Sequence, residues 1–289
     1  MPRLTLLALW GLVVLFSAVD SMPCRAEDAP ARQIQVLKTP GGVTYGVWGE
    51  KPAAPAPTLI ILASTVEGTL GDPYYRRAGN ILGEQGYLCV SIDLPCHGTE
   101  HRQGEPEQLS GWRYRAEHGE DFVAEFSKRL SSALDALIAQ GYTDPERIAI
   151  CGTSRGGFMS LQFAAHEPRV RCVAAYAPVT DLAALREFQG AEANAMVQSL
   201  DVRKQADKLA GRPVWIIIGD QDARVSTDSA IDLARKITRA SLAQKLTSQV
   251  DLHVIAEPRG HTTPNGAIES SAAWLLTHCP AKDSPKLKP

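Results

Sequence analysis

The chain is short of several things, and each shortage closes a class of function. It has no Cys-x-x-Cys pair, so neither a zinc ribbon nor a dithiol redox motif is available. Its charges nearly cancel, with 30 Lys and Arg against 32 Asp and Glu. Outside Pro285-Lys286-Leu287-Lys288 no basic run is longer than a pair. The electrostatic footprint of a nucleic-acid binder is therefore missing. Beyond residue 26 no apolar run is long enough to cross a bilayer. No internal repeat and no second domain can be read.

What is present begins with a targeting segment over residues 1–26. Arg3 gives it a positive start, and Leu4 to Val19 is an almost unbroken apolar stretch. Cys24-Arg25-Ala26 offers a small-residue cleavage site before Glu27-Asp28. The pattern is that of a signal peptide, so the folded part is expected to be exported to the periplasm or the medium. Cleavage leaves Cys89, Cys96, Cys151, Cys172 and Cys279, an odd number set mostly in or beside apolar runs, which reads as buried structural thiols. One domain is expected over 27–279, followed by a loose tail over 280–289.

Short apolar runs alternate with helical patterns along that domain. The strand readings are Gln33–Leu37, Val43–Trp48, Thr58–Ala63, Leu88–Ile92, the run from Ile148, Arg171–Ala175, Val214–Ile218 and Asp251–Ile255. Helices are expected over Tyr74–Leu82, Asp121–Ala139, the stretch after Ser154, Ser226–Thr238 and Ala267–Thr277. The segment His97–Gly119 reads as a long polar loop. Unbroken apolar strands separated by helices predict an α/β fold, a mostly parallel eight-stranded sheet covered on both faces. In such sheets the chemistry sits just beyond the carboxyl ends of the strands.

Gly152-Thr153-Ser154-Arg155-Gly156-Gly157 stands at one such end. A strand, a sharp turn and a helix put the serine at the apex, with glycines clearing the space beside it. A serine hydroxyl needs a base, and the base needs an acid to orient it. Strand Asp251–Ile255 leads into a loop ending at His261, the candidate base. Strand Val214–Ile218 leads into Gly219-Asp220-Gln221-Asp222, where either aspartate could serve; Asp220 could instead hold the turn. The order Ser, Asp, His suits this type of sheet.

On these residues the sequence resembles the α/β-hydrolase superfamily, and within it the prolyl-oligopeptidase and dienelactone-hydrolase-like group. The likeness rests on the Ser154 motif, on Ala177-Pro178-Val179-Thr180-Asp181-Leu182, on Gly219 to Val225 and on Gly260-His261. It implies that Asp222 is the acid. It also implies a serine hydrolase without cofactor or metal, acting on a small-molecule ester or a short peptide. Dienelactone hydrolases use a cysteine nucleophile, where this chain has Ser154. The group's His-Gly after the third strand is replaced by Ala63-Ser64-Thr65. The oxyanion donors are therefore expected to be the amides of Arg155 and of Thr65 (or Ser64).

Rival readings follow from the same residues. The peptidases of the group carry a bulky N-terminal propeller that no segment here resembles, which favours an ester. The missing His-Gly leaves open an inactive, hydrolase-like binding protein. His97-Gly98-Thr99-Glu100-His101 matches a zinc-peptidase pattern, but that chemistry needs a helix and Gly98 interrupts it. Only a minimal lid fits between Ala177 and Pro213, and Trp112, Arg113, Tyr114 and Arg115 are candidates to wall the pocket instead.

Overall fold

A computed structural model gives the structure of the protein and describes residues 32–281. The leader expected over 1–26, and all of the expected tail but its first two residues, lie outside the described residues. Eight strands among them form one sheet: β1 (Ile34–Lys38), β2 (Thr44–Trp48), β3 (Ala56–Leu62), β4 (Leu88–Ser91), β5 (Thr143–Thr153), β6 (Val170–Tyr176), β7 (Val214–Gly219) and β8 (Val250–Ile255). Their order is β1-β2-β4-β3-β5-β6-β7-β8. β2 is antiparallel to β1 and β4, and the pairs from β4 to β8 are parallel.

The helices are α1 (Val66–Leu70), α2 (Pro73–Glu84), α3 (Gln108–Glu117), α4 (Phe122–Ala139), α5 (Arg155–His166), α6 (Ala195–Ser199), α7 (Ala206–Leu209), α8 (Thr227–Ala243) and α9 (Ala267–His278). Strand alternation explains why both faces need them. In β3, Ile60 and Leu62 join one core while Leu59 and Ile61 join the other. β7 repeats this, with Val214, Ile216 and Ile218 against Trp215 and Ile217. The first core takes its helical share from α3 to α8, the second from α1, α2 and α9. Each fully buried aliphatic side chain contributes about 1.5–3 kcal/mol, so a sheet apolar on both faces is stable only when covered on both.

Local signals set the helix ends. Asp121 caps α4 by accepting the Ala124 amide at 2.8 Å, and Gly141, at φ 73°, ends it. Asp72 caps α2 ahead of Pro73, accepting the Tyr74 amide at 2.8 Å.

The 97–119 segment departs from its loop reading, because α3 runs through it. This helix has no clean apolar stripe. Trp112 is fully buried with its Nε1 donating to Pro95 O at 2.6 Å. Arg115 is buried through a two-pronged ion pair, Nε to Glu105 Oε2 at 2.9 Å and Nη2 to Glu105 Oε1 at 2.6 Å. A buried arginine reads as polar in sequence, which hides the helical face. Residues 97–101 form a loop with one 3-10 turn over Gly98–Glu100, not an α-helix. His97 Nδ1 bonds Pro95 O, and His101 Nε2 bonds Glu105 O, each at 2.8 Å.

Candidate active site

β5 ends at Thr153, and α5 begins at Arg155. Ser154 between them takes φ 54° and ψ −114°, a conformation costly for a residue with a Cβ. Backbone bonds hold it there. Its amide donates to Tyr176 O at 2.8 Å, and its carbonyl accepts from Phe158 at 3.0 Å and Val179 at 3.1 Å. The flanking glycines are needed for close approach, not for unusual φ. A Cβ on Gly156 would lie 1.9 Å from Leu62 O, and one on Gly152 2.3 Å from Gly156 O. The helix start is thereby pressed against the end of β3.

The three distant side chains singled out in the sequence meet here. His261 Nε2 lies 3.0 Å from Ser154 Oγ, and His261 Nδ1 lies 2.8 Å from Asp222 Oδ2. A carboxylate can only accept, so Nδ1–H donates to Asp222 and Nε2 is free to accept the serine proton. The Asp222 side chain is fully buried, while that of His261 keeps 28% exposure. The other oxygen of Asp222 accepts the amides of Arg224 at 3.1 Å and Val225 at 3.2 Å.

Asp220 is tied elsewhere. Its Oδ1 accepts the Glu257 amide at 2.8 Å, which joins the loop after β7 to the one that carries His261. Cys89, Cys96, Cys151, Cys172 and Cys279 are all unpaired and buried. Burial pushes the Cys89, Cys96 and Cys151 thiols up to about 12, so they are not thiolates near neutral pH.

At the end of β3, the Ser64 amide donates to Thr69 Oγ1 at 3.1 Å, and the Val66 amide to Asp93 Oδ1 at 2.7 Å. The amides of Thr65 and Arg155 have no acceptor among the described residues. The Arg155 side chain binds the two segments together, Nε donating to Ala63 O at 3.0 Å and Nη1 to Gln108 Oε1 at 2.8 Å.

A cavity of about 290 Å³ opens over Ser154 and His261. Tyr74 and Tyr75 of α2, Leu109 of α3, Arg155 and Arg224 contribute to its walls. The proposed wall of Trp112, Arg113, Tyr114 and Arg115 is corrected. None of the four lines the cavity, because Trp112 and Arg115 turn inward and Arg113 reaches the carbonyls of Glu187 and Gln189. Leu109 of the same helix takes that place. Tyr74, Tyr75 and Arg224 were not singled out in the sequence, although Arg224 stands two residues after Asp222. Its Nη2 holds Glu187 Oε1 at 2.7 Å, and its Nη1 is buried without a partner among the described residues.

Residues 81–278 match the prolyl oligopeptidase family. A cold-adapted esterase from an Arctic intertidal metagenomic library has a similar structure, with a TM-score of 0.63 at 19% identity over 88% of this chain and 97% of that one. Dipeptidyl peptidase 4 of Porphyromonas gingivalis gives 0.61 at 17% identity, over 86% of this chain and 35% of that one. The 20-hydroxy-prefusarin hydrolase of Gibberella moniliformis is 29% identical over 122 residues, which is 42% of this chain and 26% of that relative's length. Sheet order, strand ends and family match coincide: this chain is an α/β-hydrolase and belongs to the prolyl oligopeptidase family.

Proposed function

We propose that this protein is an exported serine hydrolase that cleaves carboxylic esters through an acyl-enzyme. The observation that carries the reading is the hydrogen-bonded line from Ser154 Oγ through the His261 ring to Asp222, at 3.0 and 2.8 Å. Ser154 Oγ attacks the ester carbonyl carbon while its proton passes to His261 Nε2. The amides of Arg155 and Thr65 receive the developing oxyanion. His261 then returns its proton to the departing alkoxide, leaving the acyl group on Ser154. Water, deprotonated by the same imidazole, releases the acid. Asp222 keeps the ring in the right tautomer and steadies the imidazolium. No metal or cofactor has a part in these steps.

An ester is favoured over a peptide by the walls of the site. Among the described residues, those lining the 290 Å³ cavity include two arginines and no Asp or Glu. No carboxylate in that lining would pair with the ammonium group of a free peptide N-terminus, whereas a neutral or acidic ester meets no repulsion. The family itself gives the second reading, a short-peptide substrate on the same three side chains. A side-by-side panel of p-nitrophenyl esters and p-nitroanilide peptides decides between them. Turnover of short-chain esters with peptides inert supports the proposal, and the reverse pattern supports the peptidase. Export is tested by N-terminal sequencing of the secreted protein, expected to start at Glu27.

A further inference from the structure

A second cavity, of about 540 Å³, opens at the opposite end of the sheet. Its walls come from the residues that precede strands: Pro168 ahead of β6, Arg212 and Pro213 ahead of β7, and Gln249 ahead of β8. Arg171 at the start of β6, Lys208 of α7, and Thr277 and His278 at the end of α9 also line it. Ser154, Asp222 and His261 all follow the far ends of parallel strands, so the two cavities are separate.

The charge of this cavity is one-sided. Arg171, Lys208, Arg212 and His278 line it, and among the described residues no Asp or Glu does. A chain with a net charge of -2 does not gather such a cluster simply by being basic. Elsewhere arginines hold carboxylates, as Arg115 holds Glu105, Arg169 holds Glu167 and Arg203 holds Asp181. Arg171 and Arg212 make no ion pair among the described residues. Glu167 acts on Arg212 from a distance, but its carboxylate is taken by Arg169 Nε at 2.8 Å and Ser131 Oγ at 2.8 Å.

Arg212 carries a specific deficit. Its Nε is buried and has no hydrogen-bond partner among the described residues. Burial also pushes the guanidinium below its ordinary pKa, so its charge is under-compensated. The guanidinium fork fits the oxygens of a tetrahedral anion, and two forks beside an ammonium group suit a doubly charged one.

We propose that this cavity binds a small phosphate-type dianion, free or carried as a phosphomonoester, between Arg171 and Arg212 with Lys208 as the third charge. The full-length protein should be titrated with inorganic phosphate and with glycerol 3-phosphate at constant ionic strength, by calorimetry and thermal melting. The expected result is saturable binding with a Kd of about 1 mM or tighter and a melting temperature that rises with ligand. The Arg171→Gln/Arg212→Gln variant should bind at least about tenfold more weakly. Lys208→Gln, an exposed change, should weaken binding several-fold. Arg224→Gln should bind as the unaltered protein does, which separates this site from the cavity over Ser154. Tighter binding of glycerol 3-phosphate would identify an esterified ligand and equal binding the free anion, both in support. A response no larger than that to chloride, or equal affinity in the double variant, overturns the proposal. Should the double variant fail to fold, unchanged affinity in both Lys208→Gln and Arg171→Gln overturns it as well.

Discussion

Asp220 and Asp222 stand two residues apart and face different partners. Asp222 Oδ2 lies 2.8 Å from His261 Nδ1, whereas Asp220 Oδ1 accepts the Glu257 amide at 2.8 Å. One acid orients the candidate base, and the other fixes the loop that carries it.

The two substitutions should therefore differ in kind. Asp222→Asn keeps the shape but favours the wrong histidine tautomer, and kcat should fall by about 10³–10⁴-fold with the melting temperature nearly kept. Asp220→Ala removes an acceptor on an exposed side chain and should cost about 0.5–1.5 kcal/mol of stability, with a far smaller effect on kcat. Steady-state kinetics and denaturant unfolding on both variants check this.

Thr65 offers a similar separation. Its hydroxyl caps α1 by accepting the Gly68 amide at 2.9 Å, while its own amide points at no acceptor among the described residues. Thr65→Ala should lose about 1 kcal/mol from the cap and retain most activity. Thr65→Pro also removes the amide, and kcat should drop by about 10²–10³-fold beyond the alanine variant. Equal kcat in the two variants would exclude this amide from the oxyanion hole.

Acid stability should be lost in two steps. Burial holds the His97 imidazole at about 4 against an ordinary 6.5. Between those values the unfolded chain binds a proton that the folded chain does not. Stability from His97 is therefore full above about pH 6.5 and declines toward pH 4, by on the order of 3 kcal/mol. Burial pushes Glu105 up, but the Arg115 and Arg102 hydrogen bonds outweigh it and bring it to about 2. That contribution is full above an ordinary carboxylate value of 4.5 and is lost as pH falls toward 2. Urea unfolding across this range should show the upper step vanish in His97→Asn and the lower one remain.

The sequence was most legible where local pattern and tertiary role agree. β7 is apolar throughout, and β3 and β6 are so apart from Thr58 and Arg171, because both faces are covered, and Asp121 and Gly141 bracket α4 by their own chemistry. Ser154, Asp222 and His261 could be named because each follows a strand end. The choice of Asp222 over Asp220 needed the family likeness, since spacing left both open. α1 and α3 were missed for physical reasons. α1 is five residues long and depends on Asp93 binding the Val66 amide. α3 buries Arg115 through Glu105, ten residues away. Tyr74 and Tyr75 enter the cavity wall only because α2 passes the mouth of the site, which no local pattern announces.

The most direct test of the account is the turnover of a p-nitrophenyl short-chain ester by Ser154→Ala beside the unaltered protein, with fluorophosphonate labelling of each followed by intact mass. The account predicts a loss of turnover of about 10⁴-fold or more and a single adduct on Ser154 that is absent from the variant. Turnover retained in Ser154→Ala, or an adduct that persists there, would contradict it.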